Sequence, residues 1–71
     1  MIRLRVLDIL DEQKHTKYWL YKQMDMSYQN LSKLLNNETS SIRFENLEKL
    51  VRILNCPISD LFEIIDESSQ R

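Results

Sequence analysis

Apolar residues recur along this chain with a spacing that changes from segment to segment. At the start, Ile2, Leu4 and Val6 alternate with Arg3 and Arg5, a period of two that fits a short edge strand. From Val6 onward, Val6, Leu7, Ile9 and Leu10 fit a short first helix ending near Lys14. Thr16 carries the hydroxyl of an N-cap and opens a helix over Lys17–Met24, with Leu20 and Met24 on one side. His15 stands just before that cap, where a staple contact with Leu20 is expected. Asp25 and Met26 interrupt the pattern. Ser27 then caps a helix running to about Asn36, with Leu31, Leu34 and Leu35 as its apolar stripe.

The run Asn36-Asn37-Glu38-Thr39-Ser40-Ser41 is a polar loop. Beyond it, Leu47, Leu50, Val51 and Leu54 give the clearest helical signature, over about Phe44–Leu54. Asn55 suits a left-handed C-cap, and Pro57 prevents continuation. Ser59 is expected to cap a last short helix, with Asp60 and Glu63 near its positive end. Leu61, Phe62 and Ile65 would then be available to the core. The fold expected is mainly α, with a short N-terminal β-strand left open. It forms one domain over residues 1–67, followed by a frayed tail at 68–71.

Composition adds limits. The 71 residues hold one domain, whose core alone supplies about 3–5 kcal/mol net. Cys56 is the only cysteine, so no disulfide can form within the chain, and it makes no zinc spacing with His15. No metal or cofactor is therefore expected, and self-association is the stabiliser to look for first. Glycine is absent and Pro57 is the one proline, a composition that favours helix. No apolar stretch approaches the roughly 20 residues of a bilayer span, and the start, MIRLRV, lacks a signal peptide's apolar core. With one unpaired thiol, the setting expected is the reducing cytoplasm.

The net charge of −1 argues mildly against a nucleic-acid partner, but the charges are uneven. Up to Cys56 there are nine Lys and Arg against seven acids; beyond it, four acids face Arg71 alone. A local basic face is thus compatible with the total.

Two short capped helices joined by a few residues form the helix-turn-helix unit, here about residues 16–36. The DNA major groove admits one α-helix, and a preceding helix can brace it. On the second helix of this pair, Gln29, Ser32, Lys33 and Asn36 project opposite the leucines, with Tyr28 and Asn30 at the flanks. That face offers amides, hydroxyls and an ammonium without a carboxylate, in a chain with eleven acids. Gln can pair bidentately with adenine, Lys can donate to guanine, and Ser can serve either.

The segment TKYWLYKQMDMSYQNLSKLLNN, followed by SIRFENLEKLVRILNCPISDLF, resembles the phage-repressor and Cro-like (XRE-type) class of helix-turn-helix regulators. The resemblance spans about Leu4–Ile65 and implies a five-helix DNA-binding domain. Lys17 stands where that class often has a phosphate-holding glutamine. Ser27, Tyr28 and Gln29 stand at the base- and phosphate-contacting start of the recognition helix, with Ser32 and Lys33 one turn on. Arg43 matches a basic position near the backbone or minor groove. Three residues depart from the pattern: Asp25 replaces the turn glycine, Tyr21 a small residue at the helix crossing, and His15 an aliphatic staple residue.

Each of these residues also has a plainer reading. Gln29, Ser32 and Lys33 could form an ordinary wet face, and Lys17 and Arg43 could be surface cations. Tyr28 could merely shield Ser27. His15 is read as structural, Cys56 as a small buried hydrophobe, and Trp19 as either a partner patch with Tyr18 or a cover for the first helix seam. No catalytic set is evident, so an enzyme is not expected. The function expected is a bacterial or phage regulator, more often a repressor, that binds a double-stranded inverted-repeat operator as a homodimer. Its pairing surface is placed at MIRLRV and Leu61–Ile65. The alternative is a protein-interaction module, antitoxin-like or antirepressor-binding, on the same fold.

Overall fold

A computed structural model describes residues 1–65; the tail expected at 68–71 lies outside them. The order is β1 (Ile2–Leu4), α1 (Val6–Glu12), α2 (Lys17–Tyr21), α3 (Tyr28–Leu35), α4 (Phe44–Leu54), a 3-10 turn over Ile58–Leu61 and β2 (Phe62–Ile64). The architecture is mainly helical, with four α-helices and a two-stranded sheet among the described residues. The buried leucines Leu20, Leu31, Leu35, Leu50, Leu54 and Leu61 form its centre, joined by Val6, Ile9 and Leu10 from α1. Trp19, Tyr21, Val51, Cys56 and Phe62 pack around them, partly exposed.

The N-caps at Thr16 and Ser27 form as their hydroxyls allow: each accepts the N–H three residues on, from Trp19 at 3.0 Å and from Asn30 at 3.1 Å. The helix ends show how a chain without glycine turns. Lys14, Asn37 and Asn55 adopt positive φ of 62°, 61° and 53°, a region where asparagine is tolerated and lysine is uncommon. At α1 the N–H of His15 bonds the Leu10 carbonyl at 2.8 Å and that of Lys14 bonds Asp11 at 3.1 Å. At α3, Glu38 bonds Lys33 at 2.9 Å and Asn37 bonds Leu34 at 3.1 Å. Both are Schellman closures that satisfy otherwise orphaned carbonyls. Asn55 is the left-handed C-cap of α4, as its sequence position suggested.

Four expectations are corrected. The first helix ends at Glu12, because Lys14 takes the left-handed conformation. The second ends at Tyr21, after which Gln23 bonds Leu20 and Met24 bonds Tyr21, tightening the chain to i→i−3. Met24 is buried in this turn, and Asp25 has no positive φ, so the chain turns here without the missing glycine. His15 lies flat on Trp19, ring centroids 3.6 Å apart and planes within 2°; that stack is the contact it makes in place of an aliphatic staple. No fifth α-helix forms among the described residues: Ile58–Leu61 is a 3-10 turn, and Phe62–Ile64 pairs antiparallel with β1 in the register Ile2↔Ile64, Arg3↔Glu63, Leu4↔Phe62. The strand left open at Ile2–Leu4 exists because this distant segment supplies its partner.

Cys56 is half-buried rather than fully enclosed. Burial pushes its thiol pKa up, and the nearby Asp60 charge adds to the effect, so the thiol stays protonated near neutral pH and is a poor nucleophile.

Candidate nucleic-acid interface

Helix α3 is fixed by Leu31, Leu34 and Leu35, each nearly inaccessible. Those three leucines turn the rest of the helix outward. Tyr28, Gln29, Asn30, Lys33 and Asn36 are exposed and Ser32 is half-exposed. From Ser27 to Asn37 the helix and its caps contain no carboxylate.

The Ser27 cap shapes the start of this helix. Its hydroxyl oxygen takes the N–H of Asn30 and its carbonyl takes that of Leu31, leaving the N–H groups of Tyr28 and Gln29 directed out of the helix end. The Ser27 hydroxyl proton remains available to donate. Together with the helix dipole, these groups favour an anion at this end.

Helix α2 contributes Lys17. Its ammonium donates to Ser32 Oγ at 3.4 Å and lies 5.6 Å from the centre of the Tyr28 ring. Lys17, Tyr28 and Ser32 therefore form one cluster joining the two helices. An ammonium has three donors, so the bond to Ser32 leaves others for an external acceptor. Tyr21, the bulky departure at the helix crossing, meets Tyr28 edge-on at 5.1 Å and Tyr18 at 5.9 Å. Its bulk is absorbed by holding Tyr28 in place.

Arg43 stands apart from that cluster, as the extended residue before α4. Its guanidinium donates to Glu45 at 3.1 Å and is largely exposed. A shallow cleft lined by Asn30, Lys33, Thr39, Ser41 and Arg43 connects it to the flank of α3. Asn30 belongs to this cleft although sequence reasoning placed it only at the flank of the helix. Gln29 and Asn36 have exposed amides on the same helix. The arrangement is a cationic and amide-bearing ridge, suited to phosphate oxygens and base edges.

Residues 4–67 match the family of Cro/C1-type HTH DNA-binding domains. No curated protein matches the sequence. Among solved structures, the chain is similar to a protein from Bacteroides fragilis to which DNA binding has been ascribed, with 28% identity and a TM-score of 0.77 over 89% of this chain and 100% of that one.

Proposed function

Because the chain belongs to the family of Cro/C1-type helix-turn-helix DNA-binding domains, we propose that it is a sequence-specific transcriptional regulator whose helix α3 enters the major groove of its operator. The observation that carries this reading is the exposed, carboxylate-free face of α3 beside the Lys17 ammonium. Gln29 and Lys33 are the base readers, and Ser32 and Asn36 extend the readout along the groove. Lys17, Ser27 and Tyr28 hold the phosphate backbone at the helix start, and Arg43 holds it beyond the far flank.

The regulator acts as a cytoplasmic repressor: two copies occupy an inverted repeat with half-sites about one helical turn apart, and the occupied operator excludes polymerase. The likeness to a Bacteroides fragilis protein ascribed to DNA binding supports the same reading.

Selection of bound duplexes from a random pool tests it. A symmetric consensus is expected, with log K falling linearly in log salt as phosphate-bound cations are released. Recovery of no consensus, or an affinity indifferent to salt, overturns the reading.

A further inference from the structure

We propose that two copies of this chain join through the outer edge of β2, which pairs antiparallel with β2 of the second copy about a two-fold axis at Glu63. The inference rests on the homodimer reading above and supplies its surface.

The hydrogen bonds of the sheet decide which edge is open. Ile65 donates to the Met1 carbonyl and Arg5 to the Leu61 carbonyl, both at 2.7 Å, with Arg3 opposite Glu63 between them. These are the inward, hydrogen-bonded pairs, so alternation turns the backbone groups of Ile2, Leu4, Phe62 and Ile64 away from the partner strand. On the β1 side the edge is closed at Leu4. The Asn37 side-chain amide accepts its N–H at 2.7 Å and donates to its carbonyl at 3.2 Å. On the β2 side, the outward groups of Phe62 and Ile64 meet no partner among the described residues. One capped edge and one open edge favour a closed pair of copies over a filament.

The same edge is apolar on one face. Ile2 and Ile64 lie opposite each other and are 67% and 76% exposed, and with Phe62 they line a shallow notch. An axis at Glu63 sets Phe62 against Ile64 of the second copy, and Ile64 against its Phe62. Four backbone hydrogen bonds form and the isoleucines are covered.

The other face carries charge, and there the design is self-neutral. Arg3 Nε lies 2.7 Å from Glu63 Oε2, an ion pair set off the line of a hydrogen bond. The two Glu63 carboxylates that meet at the axis therefore each bring a cation, which removes the penalty of like charges directly opposed.

Two variants and the unaltered chain, measured by sedimentation with and without operator DNA, test the proposal. Ile64→Pro removes an N–H that the β1–β2 ladder does not use, a position where a strand accepts proline. It is expected to raise the dimer dissociation constant at least about tenfold while circular dichroism stays that of the parent. Glu63→Cys in a Cys56→Ala background places two thiols on the axis. Directly opposed residues of this kind sit about 4.5 Å apart between Cα atoms, within the disulfide range, so mild oxidation is expected to yield a cross-linked dimer. A parent dimer that survives Ile64→Pro, or that gives no cross-link, overturns this surface and leaves the homodimer reading standing. A parent chain that stays monomeric both free and on its operator overturns both.

Discussion

Helix α3 buries Leu31, Leu34 and Leu35, and α4 buries Leu47, Leu50 and Leu54; each follows an extended residue and ends in a left-handed one. Inward they are near-equivalents. Outward they differ. The exposed side of α4 carries ion pairs, Arg52 to Glu48 at 2.6 Å and Lys49 to Asp25 at 3.9 Å. Lys33 on α3 has no carboxylate partner among the described residues, and Lys17 beside it turns to a serine and a tyrosine. The cations of α4 are matched within the molecule, whereas those around α3 remain available for an anion from outside. A helix can thus be part of the core and an unfinished surface at once, and only its outer residues tell the two roles apart.

The inner faces should break alike. Leu31→Ala and Leu50→Ala each empty a fully enclosed site, at a cost of about 2–5 kcal/mol. That is comparable to the whole net stability of so small a domain. Both variants are expected to be largely unfolded at 25 °C by circular dichroism. If one of them melts like the parent, the two helices do not share the core equally.

The outer faces should break differently. Gln29→Ala with Lys33→Ala removes two candidate base contacts, each worth about 1–3 kcal/mol of discrimination. Selective DNA affinity is expected to fall on the order of a hundredfold, with the melting temperature nearly unchanged. Glu48→Ala with Arg52→Ala on α4 should leave affinity where it was. Equal DNA losses from both pairs, measured by fluorescence anisotropy on the selected operator, would dissolve the distinction.

The contrast was partly legible in the sequence. The leucine spacing located α3 and gave the bounds of α4 as found, Phe44–Leu54, because these segments are long enough for the helical period to show. Thr16, Ser27 and Asn55 were readable as caps because their side chains act locally. Lys14 and Asn37 were not, since a left-handed residue of those types is imposed by helix closure rather than announced by composition. Strand β2 reads as helix in the sequence alone: Phe62-Glu63-Ile64-Ile65 suits either state, and β1, nearly the whole chain away, decides. For the candidate interface, periodicity separated the outward residues from the leucines. It could not show that Lys17 reaches Ser32 or that Asn37 clamps Leu4, because those contacts depend on how separate elements pack.

Lys17 sharpens the comparison further. Lys17→Ala should lower the slope of log K against log salt by about one, since one phosphate-bound cation is lost. Lys49→Ala, which removes a cation on α4 that lies 3.9 Å from Asp25, should leave the slope unaltered. An unchanged slope for Lys17→Ala would show that its ammonium serves the Ser32 and Tyr28 contacts alone.

The smallest effect concerns the ion pairs that set α4 apart. Arg52 and Glu48 are 2.6 Å apart at i,i+4, with side chains 76% and 62% exposed. Water competes for both charges and two long side chains must be held still, so a double-mutant cycle on Glu48→Ala and Arg52→Ala is expected to give only about 0.3–0.5 kcal/mol of coupling by urea denaturation. Raising salt should shrink it. The pairing on α4 therefore adds little to stability; its consequence is that these charges already have partners when a polyanion approaches. A coupling of several kcal/mol would reverse that conclusion and make the α4 surface a structural brace.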